Sequence, residues 1–111
     1  MDINNNLINF ESDEFGEINV IFDNGELKFI GKEIAEKLGY KIPRKALWNH
    51  VDDEDKELIK WKTAGGKQEV IAINEFGLYC LIFSSKLPEA KNFARWIISK
   101  VLPELQRIKS I

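Results

Sequence analysis

One histidine and one cysteine in 111 residues leave little for catalysis or metal binding. Cys80 alone cannot form an internal disulfide, which fits a reducing cytoplasm. A zinc centre needs three or four His and Cys ligands, and this chain has two such residues. No apolar run reaches the roughly 20 residues a membrane span requires. The first 26 residues contain no Lys or Arg and so lack the basic start of a secretory signal. They instead hold seven acids, Asp2, Glu11, Asp13, Glu14, Glu17, Asp23 and Glu26. All 16 basic residues therefore lie in the remainder, against 11 acids, so a mildly basic body follows an acidic leading segment. A formal net charge of −2 conceals this asymmetry, which permits a positive face. The length suits one domain with its own apolar core.

Punctuation by Gly, Pro and Asn divides the chain into short elements. Residues 1–14 read as a polar, acidic leader, either a frayed end or a short edge strand around Leu7, Ile8 and Phe10. Ile18, Val20 and Phe22 then alternate with Asn19 and Asp23. Asn24-Gly25 is the pair favoured in a tight type I′ turn, where both residues need positive φ. The return strand is Leu27-Lys28-Phe29-Ile30. Ile34, Ala35 and Leu38 share one face of a helix that Gly39 ends, and Pro43 opens a second helix at a position where its missing N–H costs nothing. Residues 52–55 form an acidic loop or turn. A second hairpin turns through Thr63-Ala64-Gly65-Gly66. Asn74 is placed as the N-cap of a helix over residues 75–83, and a further helix starts near Pro88 around Phe93, Trp96, Ile97 and Val101. Pro103 is expected to break or restart it. The pattern predicts an α+β fold: a single compact domain of two β-hairpins and four to five helices, with a helix-turn-helix-like pair.

Chemistry has few candidates. His50 falls on the apolar side of its helix and reads as a packed histidine. Cys80 lies in an apolar run with no base beside it and reads as a small buried hydrophobe. The acids at 52–55 with Glu57 lack the central Gly and terminal bidentate Glu of a calcium loop. No set of acid, base and nucleophile can be assembled, and no cofactor or metal is called for.

Residues 31–51 carry a different logic. Two short helices meet at Leu38-Gly39-Tyr40, with the small Ala35 four residues before the Gly, as a helix-turn-helix requires, although the turn is about a residue longer than usual. Ala46, Leu47, His50 and Val51 share the inner side of the second helix, and Arg44, Lys45, Trp48 and Asn49 the outer. Arg and Asn can pair with base edges, and Lys and Arg can hold phosphates. Lys60 and Lys62 on the second hairpin, with Lys67 across its turn, resemble a basic wing. An ordinary two-helix corner with a solvated basic face satisfies the same spacing.

The ordered set of motifs is more specific than any one of them. It runs from Asn24-Gly25 and Phe29 through Ile34-Ala35-Glu36-Lys37-Leu38-Gly39-Tyr40, Ala46-Leu47, His50-Val51 and Thr63 with Gly65-Gly66-Lys67-Gln68. It continues with Ile73-Asn74-Glu75, Gly77-Leu78-Tyr79, Ser85-Lys86, Pro88-Glu89-Ala90-Lys91, Phe93, Arg95-Trp96 and Val101-Leu102-Pro103. Over residues 15–108 the chain resembles the N-terminal domain of the BRO family, the phage and prophage antirepressor proteins shared with large DNA viruses, so that residues 15–111 form the domain behind the leader. The resemblance implies a non-enzymatic module of transcriptional control in the lysis/lysogeny switch, commonly joined to a different C-terminal domain. Double-stranded DNA would be contacted by Arg44, Lys45 and Asn49 at the groove, with Lys41, Lys60, Lys62 and Lys67 at phosphates. Two departures support an alternative. The acidic leader weakens nonspecific DNA affinity, and an outward Trp48 suits a protein partner, either a phage repressor or a second copy.

Overall fold

The computed structural model describes residues 7–63, 65–88 and 90–109, with the backbone only for Lys62 and Thr63. Ala64 of the second turn and Glu89 of the Pro88 motif lie outside the described residues, as do residues 1–6 of the leader. The chain forms β1 (Leu7–Ser12), β2 (Gly16–Asp23) and β3 (Glu26–Ile30), then helices α1 (Gly31–Lys37) and α2 (Pro43–His50). After a 3₁₀ turn at Asp53–Asp55 come β4 (Lys56–Thr63) and β5 (Gly66–Ile73). Helices α3 (Glu75–Ser84), α4 (Ala90–Trp96) and α5 (Leu102–Lys109) complete it, the last two joined by a π-helical stretch, Ile97–Val101.

The two expected hairpins are parts of one antiparallel sheet, ordered β1-β2-β3-β5-β4. Asn24 (φ 52°) and Gly25 (φ 78°) make the first turn with the positive angles their sequence foretold. Residues 7–12, held open between frayed end and edge strand, pair along their whole length with β2. Ser12 Oγ accepts from the N–H groups of Glu14 and Phe15 and shapes the turn between them.

Strand alternation explains the core. The register sets Phe10 opposite Ile18, Ile8 opposite Val20, Val20 opposite Phe29, and Phe29 opposite Ile73, so all point to one face. The helices cover that face with Leu78, Leu81, Phe93, Ile97, Val101 and Leu105, each buried. Phe15, at the β1–β2 turn, packs edge-on against Phe93 and tilted against Trp96, with ring centroids 5.5 Å away in both cases.

Pro103, the second residue of α5, which begins at Leu102, stands at the expected restart. Its absent N–H leaves the Ser99 carbonyl without an α-helical partner, and a regular helix would drive its ring into that carbonyl. The preceding turn widens instead: the Leu102 N–H donates to the Ile97 carbonyl five residues back. The helix thus passes through the proline by a π-type turn.

Candidate nucleic-acid interface

Helix α1 ends in a Schellman arrangement: the Gly39 N–H donates to Glu36 and the Tyr40 N–H to Ala35, each at 3.0 Å. Gly39 takes φ 86°, the left-handed conformation its position suggested. The residues from Leu38 to Ile42 then lead into α2, with Pro43 in its first turn. Three contacts from the C-terminal half pin this turn. Tyr40 Oη donates to the Leu81 carbonyl (2.8 Å), Ser85 Oγ donates to the Leu38 carbonyl (3.0 Å), and Leu87 packs onto Gly39. Burial pushes the Tyr40 phenol above its usual pKa. Helix α2 approaches closely at Gly31, where a Cβ would lie 2.8 Å from Leu47 Cδ2 and 3.1 Å from the Ile71 carbonyl oxygen, and Ala35 is fully buried.

With the pair so held, α2 buries Ala46 and Leu47 and leaves Arg44, Lys45, Trp48 and Asn49 exposed. Lys41 is exposed in the turn before it. His50 is half-buried, its ring 5.6 Å from that of Tyr40. Trp48 is 76% exposed, yet its ring has a fixed neighbour. Lys56 Nζ lies 5.4 Å from the ring centroid while donating to the carbonyls of Val51 (2.7 Å) and Leu47 (3.2 Å) at the end of α2. Asp53 flanks the same ammonium at 3.6 Å. Lys56 therefore closes the helix C-terminus and supports the indole through a cation–π contact. Sequence reading passed over it, because a Lys beyond an acidic turn has no local signature of capping the preceding helix.

The second hairpin projects from this base. β5 pairs with β3 only at Ile73 and Ala72, so the outer parts of β4 and β5 form a two-stranded ribbon. Each strand has eight residues, about 25 Å. Lys60 and Lys67 are exposed on it. The register places Lys62 opposite Lys67 but Lys60 opposite Glu69, which tempers the basic face. The side chain of Lys62 lies outside the described residues. The named positions thus form two groups, one on the outer face of α2 and one on the ribbon, joined at the ribbon's base through Lys56 and Trp48. Nearby, Lys28 is paired with Glu57 and, at 3.7 Å, with Asp23. Its bond to Glu57, which outweighs the opposing effect of burial, raises its pKa.

The family model for the BRO family N-terminal domain matches residues 17–103, most of the chain. The chain belongs to the BRO family. A Haemophilus influenzae protein described only as uncharacterized is 36% identical over 105 residues, covering 92% of this chain and 52% of that protein. The putative Bro-N domain-containing protein 289L of invertebrate iridescent virus 6 is 36% identical over 100 residues, 74% of this chain and 24% of its own length. An uncharacterized Bro-N domain-containing protein, ORF2, of Autographa californica nuclear polyhedrosis virus is 26% identical over 112 residues, 86% of this chain and 34% of its own length. The chain thus spans about half or less of the curated relatives it matches. No solved structure matches. At the level of the family, BRO membership supports a regulatory domain of the DNA-binding type. Among the described residues, no helix is long and apolar enough to cross a membrane.

Proposed function

We propose that this BRO domain binds double-stranded DNA through α2 and the β4–β5 ribbon, as the regulatory module of an antirepressor-type protein in the lysis/lysogeny switch. The exposed set Arg44, Lys45, Trp48 and Asn49 on the second helix of a pinned helix-turn-helix pair carries this reading. Arg44, Lys45 and Asn49 have the donors and acceptors that base edges require, and Lys41 suits a flanking phosphate. Lys60, Lys62 and Lys67 would follow the backbone further along. In a salt titration of duplex affinity, the logarithm of the association constant should fall linearly with log salt. Arg44→Glu with Lys45→Glu should abolish measurable binding, and Lys41→Gln with Lys67→Gln should reduce the salt slope by about 2 if each neutralises one phosphate. A flat salt response would sink the proposal.

A second reading rests on Trp48, a large aromatic held outward in a fixed orientation. Such residues anchor protein interfaces, and a phage repressor is the partner of choice. If Trp48→Ala lowers affinity for that repressor while duplex binding is unchanged, the protein-binding reading gains over the DNA one. Full repressor affinity in that variant would acquit Trp48.

A further inference from the structure

Helix α3 is apolar on every side, from Phe76 to Phe83. A helix of that kind is normally enclosed. Here only the face bearing Gly77, Leu78, Leu81 and Ile82 is buried against the core. The opposite face exposes Phe76 (62%) and Phe83 (75%), with Tyr79 and Cys80 half-buried between them. Tyr79 and Phe83 stack at 6.2 Å. Cys80, expected to be buried, instead lines a groove with these aromatics and His50, because it falls on the outer side of the helix. A second groove continues past Phe83 to Leu87 and Ile98.

Two features of this face identify its occupant. The outward residues are placed symmetrically about the midpoint between positions 79 and 80: Phe76 and Phe83 are equidistant from it, as are Tyr79 and Cys80. The charge around the face is polar along the helix. Its N-terminal end is acidic, with Glu75 beside it and Asp55 bonded to the Asn74 cap. Burial, with smaller contributions from Asp55 and Asp52, pushes the Cys80 thiol pKa up. The C-terminal end is basic, lined by Lys86, Lys91 and Arg95. A surface with symmetric apolar spacing and opposite charge at its ends is complementary to its own copy turned through 180°. A uniformly acidic or basic partner would meet repulsion at one end.

We infer that the outer face of α3 is the contact of a two-fold homodimer in which the two α3 helices pack antiparallel. Phe76 of one chain meets Phe83 of the other, Tyr79 and Cys80 lie at the axis, and Glu75 faces the partner's basic end near Lys86. The inference does not rest on DNA binding, although Asn49, assigned above to a DNA contact, also lines this groove beside His50.

Light scattering across a concentration series should show the mass rising from 12.8 kDa toward twice that value. Phe76 and Phe83 are exposed, so their replacement leaves the fold intact, and Phe83→Asp should weaken self-association by about 30-fold or more. Glu75→Lys and Lys86→Glu should each weaken it alone, and an equimolar mixture of the two variants should recover a heterodimer. A bismaleimide of about 8–10 Å reach, the usual separation of packed helices, should join two chains through Cys80, the only thiol. A chain that stays monomeric to about millimolar concentration overturns the inference. So does a dimer indifferent to Phe83→Asp, or a mixture that recovers nothing.

Discussion

Lys56 shows how one side chain can join elements that no sequence pattern connects. Its ammonium, largely withdrawn from solvent, serves the Leu47 and Val51 carbonyls, the Trp48 ring and the Asp53 carboxylate together. Replacing it by Met keeps much of the aliphatic stem and removes the donor. Those carbonyls then lose a charge-assisted bond, worth about 1.5–3 kcal/mol. Lys56→Met should therefore lower the unfolding free energy by that amount, read as a lower urea midpoint with an unchanged m-value, and the released indole should alter Trp48 fluorescence. Residues with purely local roles were legible without coordinates. Asn74 accepts from the Gly77 N–H at 2.8 Å as an N-cap does, and Pro43 stands in the first turn of α2. Lys56 was not legible, since its partners are fixed by where the acidic turn sends the chain.

Among the elements, the α1–α2 turn depends most on distant support. Its own sequence encodes the stop at Gly39, while Tyr40, Ser85 and Leu87 lock it to α3 and the loop that follows. An alanine at Gly39 meets both a φ of 86° and Leu87 Cδ1, 2.1 Å from the new Cβ. Leu87 can swing aside but the backbone angle cannot relax, so Gly39→Ala should cost about 1–3 kcal/mol in a denaturation experiment. It should also weaken duplex binding if α2 is the reading helix. The final helix teaches the converse. A proline read as a break or a restart stands in the first turn of α5, and the π-type turn at Ile97–Val101 carries the chain into it, because Ile97, Val101, Leu102 and Leu105 are all buried and packing favours continuation. Local preference left both outcomes open, and burial selected the restart.

At the scale of the molecule, the half from Asn74 onward acts as a platform that orients the half before it. Alkaline titration should reveal this dependence. The Tyr40 phenol, raised by burial, is bound as a donor to Leu81, and Lys28, raised chiefly by its bond to Glu57, ties β3 to β4. Both groups hold their protons more tightly when folded than unfolded. Their contributions are complete below the unfolded values, about 10 for Tyr and 10.4 for Lys, and decline as pH rises through the folded ones. The Cys80 thiol, also raised, adds to this from lower pH, so thermal unfolding should show stability falling from about pH 8.5 upward, with Tyr40→Phe flattening part of the fall.

The sequence by itself determined the α+β class, the first hairpin, the helix caps and the family, because these rest on short-range turn chemistry, side-chain periodicity and an ordered set of motifs. Only the tertiary structure decided that the hairpins share one sheet, that β1 is its edge, that Gly31 is the point where α2 closes on α1, and that α3 keeps an apolar face uncovered. Those outcomes depend on which surfaces meet across long separations. Each segment offers an apolar face to any neighbour, and only the packed whole determines which faces are left over.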